Sequence, residues 1–160
     1  MMKFIGGDRN GGPPNQISGF INQPKKNIRS YLNERSFQIT KRVPKEELVR
    51  EISSSQMLLF PSFPDSPGTF AGKIFDYIAS KKNILMVPDD QSVVGELIRK
   101  TKTGFICNTA EEVCNQLTKS YKEWKTKGHI EYHGDSLEIN QFTRESQVKK
   151  MAGFLDRYIQ

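Results

Sequence analysis

At 160 residues the chain is long enough for one domain with a real core, and it lacks the roughly 20-residue apolar run that spans a bilayer. Apolar content of 36% and a negative mean hydropathy suit a globule with a polar surface. The charge of +6 is spread over scattered Lys and Arg, and aromatics are not interleaved with them as in single-strand binders, so nucleic acid is not an expected partner.

The chain opens with an apolar run at Lys3-Phe4-Ile5, too short for a secretory signal, and no small-residue cleavage site follows; a cytoplasmic protein is expected. Residues 8–24 are rich in Gly, Pro and Asn and read as a long loop. A short helix is predicted over 26–34, with Ile28, Tyr31 and Leu32 on one face, then a strand at Phe37–Thr40. Pro44 suits a first helical turn, and Glu46 and Glu47 complement its dipole, with Leu48, Val49 and Ile52 as the inward stripe. Met57–Phe60 and Asn83–Val87 are continuous apolar runs, as in strands covered on both faces. Between them a helix is predicted from about Ala71.

Val93, Val94, Leu97 and Ile98 mark the next helix and Gly104–Cys107 another strand. Thr109 followed by Glu112 is a capping-box signature, opening a helix with Val113, Leu117, Tyr121 and Trp124 on one face. Residues 127–140 lack periodicity. Thr143 starts a last helix whose inward residues are Val148, Met151, Ala152, Leu155 and Ile159. Strands alternating with helices predict a single Rossmann-like α/β domain with a parallel sheet and helices on both faces. Ligands of such sheets bind beyond the carboxyl ends of the strands, where the loop after Phe60 lies.

That loop leads into Gly68-Thr69-Phe70-Ala71-Gly72-Lys73-Ile74. It is one residue short of a P-loop, and Ile74 stands where a magnesium-binding Ser or Thr belongs; no GxGxxG is present either. Gly68 and Gly72 would let backbone approach a ligand, the helix start would face an anion, and Lys73 would add a point charge. At 100° per residue Ile74, Phe75 and Ile78 are expected on the sheet side, with Lys73, Asp76 and Ser80 opposite. Asp76, one turn on, could accept hydrogen bonds from a ribose diol. On chemistry alone, a solvated Lys73–Asp76 helix pair is the plainer reading.

Three segments, "VPKEELVREISSSQMLLFPSF", "GKIFDYIASKKNILMVP" and "GELIRKTKTGFI", resemble the donor-binding half of GT-B glycosyltransferases of the bacterial polysaccharide and lipopolysaccharide type. The resemblance covers Arg42 to about Val113. It implies a nucleotide-sugar donor, either UDP- or GDP-linked, and transfer to a glycan or lipid-linked acceptor. Asp76 takes the place of the second Glu in a Glu-seven-residues-Glu motif that binds ribose. The first Glu falls at Gly68, a departure that leaves backbone amides at Thr69, Phe70 and Ala71 to serve the diphosphate. Val43 matches a loop whose backbone meets the nucleobase, and Glu96 matches a Glu near the site.

Such enzymes use two halves, and this length has room for one. The opening "KFIGG" resembles the second strand of the donor domain, so a partner chain carrying the acceptor half, or a truncated enzyme, is implied. A non-catalytic nucleotide-binding or partner-anchoring module is the alternative. Basic residues also suit peripheral attachment to acidic lipid on the inner membrane face. No cofactor or metal is expected: His129, Glu131 and His133 lie between Gly128 and Gly134 in a loop-like segment. Ser53-Ser54-Ser55 has no nearby histidine. Cys107 and Cys114, seven apart, read as reduced and packed, and Trp124 as a packing residue.

Overall fold

The computed structural model describes residues 1–5, 37–62, 68 and 70–158, so the loop expected over 8–24, the helix over 26–34, Thr69 and Ile159 fall outside the described residues. The chain divides into two compact units, Met1–Glu51 and Ile52–Gln160.

In the first unit β1 (Met2–Ile5) pairs in parallel with β2 (Phe37–Thr40), in the register Met2 to Phe37 and Ile5 to Thr40. Pro44 precedes α1 (Lys45–Ser54), and its carbonyl accepts from the Leu48 amide at 3.0 Å. Glu46 and Glu47 occupy the first turn as expected. Lys3 of β1 forms an ion pair with Glu51 of α1. The inward stripe is realised only at Ile52, which is half-buried, because Leu48 and Val49 are exposed and α1 fully buries no residue. A face defined by spacing is buried only where something covers it.

The second unit is α/β, with a three-stranded parallel sheet flanked by helices. Its strands β3 (Met57–Pro61), β4 (Asn83–Val87) and β5 (Gly104–Ile106) stand in that order. Register runs Leu58 to Ile84 and Met86 to Ile106. β4 is central and buries Asn83 through Met86, which explains its unbroken apolar run. β3 is more deeply covered on one side than on the other: Leu58 and Phe60 are buried, while Met57 and Leu59 are half-buried.

α2 (Lys73–Ala79) and α3 (Val93–Thr101) link the strands and supply the other half of the core. Ile74 and Ile78 of α2 and Val94, Leu97 and Ile98 of α3 cluster with Phe60, Ile84 and Met86. Each such side chain contributes about 1.5–3 kcal/mol on full burial. α3 ends as Lys102 turns left-handed at φ +53°, and Thr101 spends its buried hydroxyl on the Leu97 carbonyl (2.6 Å) and on Thr103 (2.9 Å).

α4 (Ala110–Lys127) begins as expected, with the Thr109 hydroxyl accepting from the Glu112 amide at 3.1 Å. Its expected apolar face is nevertheless turned out: Leu117, Tyr121 and Trp124 are exposed. The covered stripe is Val113, Gln116, Ser120 and Glu123, with only Ser120 fully buried. Polar pairing explains the choice. Gln116 donates to the Ser120 hydroxyl, and Glu123 accepts from Lys127 and from the Glu131 amide. Trp124 stacks at a tilt on Tyr121, with centroids 5.8 Å apart, rather than in a core.

A short helix that the periodicity missed, α5 (Ser136–Asn140), is capped by Asp135, whose carboxylate accepts from the Leu137 and Glu138 amides. The segment before it is tied to the amino end of the sheet: Asp135 donates its amide to Thr101 O, and Asn83 its side-chain amide to Glu131 O. α6 (Arg144–Leu155) starts at the Thr143 cap as expected. Its inward residues are not inward, since Val148, Met151, Ala152 and Leu155 are all exposed.

Candidate functional site

The carboxyl ends of β3, β4 and β5 lead into residues 61–72, 88–92 and 107–109. At that edge the Ser62 amide donates to Val87 O and its hydroxyl to Pro88 O. The Val87–Pro88 peptide is cis. Asn108 accepts from the Asp89 amide through its side chain, joining the β4 and β5 loops. Cys107 is buried, with its amide on Met86 O; burial, and then the Glu112 carboxylate, push its thiol pKa up. Cys114 is exposed on α4, contrary to its expected packing, because it lies off the covered stripe.

Two helices begin at this edge, and their starts differ. The head of α3 is filled by the chain itself. Asp90 accepts from the amides of Ser92 (3.0 Å), Val94 (3.2 Å) and Gly95 (2.9 Å), so the positive end of that dipole already holds a carboxylate. Asp89 pairs with Arg99. Glu96 is exposed in the first turn of α3. These aspartates were not singled out as functional; the run Asp-Asp-Gln-Ser before an apolar stretch was the available signal for a cap.

α2 begins at Lys73, two residues later than expected, with Gly72 at its N-cap position and no side chain capping it. The Ile74 amide donates to Ala71 O and the Phe75 amide to Gly72 O, a tight first turn that uses two of its amides on backbone. Gly68 sits at φ +77°, and its amide donates to the Ser92 hydroxyl at 2.8 Å, pinning the loop to the start of α3. Lys73 and Asp76 are both exposed. Ile74 and Ile78 face the sheet as expected.

Phe75 does not. It is 39% exposed and lies against the exposed Phe70, with centroids 5.5 Å apart. Its place against the sheet is taken by Tyr77, half-buried edge-on to Phe60 at 6.4 Å. This follows from helix geometry, since Tyr77 is one turn from Ile74 on the covered side and Phe75 is 100° away from it. Burial, and then the charge of Asp76, raise the Tyr77 phenol above its ordinary pKa. Ser80, expected beside Asp76, closes α2 with its hydroxyl on Tyr77 O.

The site residues named from sequence therefore divide. Gly68, Phe70, Gly72, Lys73 and Asp76 follow one another at the β3 edge, and Glu96 lies on the adjoining α3. Val43 belongs to the first unit, half-buried just before α1. His129, Glu131 and His133 lie outside any helix, and no group of three metal-ligating side chains occurs among the described residues. None of the helices among those residues is long and apolar enough to cross a membrane. Comparison with protein-family models, with curated proteins and with solved structures gives no match.

Proposed function

We propose that the chain supplies the donor-binding domain of a GT-B glycosyltransferase, holding a UDP- or GDP-sugar for transfer to a glycan or lipid-linked acceptor. A separate acceptor half would complete the enzyme. One observation carries the reading: an uncapped helix leaves the carboxyl edge of a parallel sheet with Lys73 and Asp76 exposed in its first turn. Lys73 neutralises the diphosphate, loop amides add donors, and Asp76 accepts from the ribose diol. The sequence resemblance from Arg42 to about Val113 supplies the reaction class.

The test is calorimetry with UDP, GDP and their sugars on the full chain and on Lys73→Ala and Asp76→Ala. Each substitution removes a charged hydrogen-bonding partner, so the Kd is expected to rise by about tenfold or more. Binding indifferent to both substitutions overturns the site.

A second reading has its own support in Gly68. Where the resemblance expects a sugar-holding Glu, this chain has a left-handed glycine with its amide committed to Ser92. A non-catalytic nucleotide-binding or partner-anchoring module is consistent with that loss. The sugar decides between the two: a donor domain binds the nucleotide-sugar more tightly than the free nucleotide, and the module binds them equally.

A further inference from the structure

We propose that the exposed rings of Phe70 and Phe75 form the platform on which the nucleobase of the donor stacks. The platform presupposes the donor-site reading and takes the one part of a nucleotide that Lys73 and Asp76 leave unheld. Both rings are exposed and lie side by side, with centroids 5.5 Å apart and planes inclined at 44°. Neither is needed by the core: Ile74 and Ile78 fill the covered side of α2, and Tyr77 takes the remaining place against Phe60. Exposed phenylalanines are ordinary on their own, so their neighbours must name the occupant.

The order of groups around the helix selects a nucleobase. At about 100° per residue, Asp76 stands about 60° to one side of Lys73, and Phe75 about 100° beyond Asp76. All three are exposed, and together they span the arc that the buried Ile74 and Ile78 leave open. A nucleoside diphosphate carries its parts in the same succession: phosphate, ribose, base. With the diphosphate on Lys73 and the ribose diol on Asp76, the base is carried toward Phe75. Lys73 and Asp76 are one turn apart, about 5–6 Å between Cβ atoms, a separation that a ribose 5-diphosphate bridges. Between Asp76 and Phe75, on the next turn, stands exposed Ala79, whose methyl group leaves that face low. The donor sugar, joined beyond the second phosphate, falls on the far side of Lys73 from these rings.

Stacking also fixes what the platform reads. Phenylalanine rings offer π faces and no hydrogen bonds, so the pair grips any base and favours the larger one. Purine nucleotides therefore bind here more tightly than uridine nucleotides, which ranks GDP above UDP. The resemblance gives the base instead to the backbone at Val43, a residue of the other unit, and the platform needs no residue of that unit.

Calorimetry of the full chain with GDP, UDP and inorganic pyrophosphate tests this. Phe75→Leu, which keeps an apolar side chain and removes the ring, should weaken GDP about tenfold and UDP less, and leave pyrophosphate unchanged. Phe70→Leu should act in the same direction, and Phe75→Tyr should keep the affinity. Saturation transfer from the protein to the base protons should fade in Phe75→Leu. Both rings are exposed, so thermal melts of these variants should match that of the unaltered chain. Nucleotide binding that Lys73→Ala weakens but neither leucine variant alters overturns the platform and leaves the donor site standing. Equal losses of pyrophosphate and GDP in Phe75→Leu overturn it too, because the ring would then shape the loop and not meet a base. Absence of any nucleotide binding overturns both.

Discussion

Ile74 and Ile78 on α2, and Met151 and Leu155 on α6, are apolar pairs with the same four-residue spacing and opposite fates. The first pair is 0% and 6% exposed, the second 68% and 51%. Spacing decides which side chains share a face. Burial also needs an opposing surface, and α2 finds one in Phe60, Ile84 and Met86, while α6 meets none among the described residues.

The widest separation between the regions should appear on truncation. Ile74→Ala is expected to cost about 2–5 kcal/mol through lost burial and a cavity, and Leu155→Ala less than about 0.5. Urea unfolding of both variants measures the contrast, and equal losses would break it. Next comes Gly104→Ala in β5. An added Cβ would lie 2.0 Å from the Ile84 carbonyl oxygen, which is backbone and cannot turn aside. A loss of about 1–3 kcal/mol or more is expected from the forced shift, with weakened β4–β5 pairing visible in amide exchange.

Asp90→Ala strips three amides at the α3 head of their acceptor and should cost about 1–2 kcal/mol, whereas Asp90→Asn should retain most of the stability. Thermal melts distinguish them. The mildest probe leaves the sequence untouched. Because burial raises the Cys107 pKa, less of it is thiolate at any given pH, so near pH 8 maleimide should modify exposed Cys114 at least about tenfold faster. Mass spectrometry after a timed quench reads the order, and faster labelling of Cys107 would mean that the β5 end opens readily.

The sheet was legible because its signals were redundant. Ile84–Val87 is apolar without a break since β4 has neighbours on both edges and helices over it, and the Thr109–Glu112 cap is a local code needing no tertiary partner. Phe75 is misplaced in the sequence reading because its face is assigned by hydrophobicity and not by its 100° offset from Ile74. Tyr77, with its polar tip, was the residue that packing preferred. α4 failed differently: hydrogen bonds of Gln116 and Glu123 turned a polar stripe inward past a more apolar one. α5 is too short for a period to register, and its trace was Asp135 with Glu138 three residues later. At the candidate site, the order Gly68 to Asp76 could be read directly. The cap on the neighbouring helix left a trace as well, in Asp-Asp-Gln-Ser ahead of an apolar stretch, but that Asp90 and not Asp89 fills the helix head depends on the turn its carboxylate completes.

The middle position of β4 bears on the order in which the sheet comes apart. Either outer strand can detach while β4 keeps its remaining neighbour, so its amides should take up deuterium last, near the rate of global unfolding. Protons of β5, only three residues long, should be traded first, and heating should fray the molecule from that side inward.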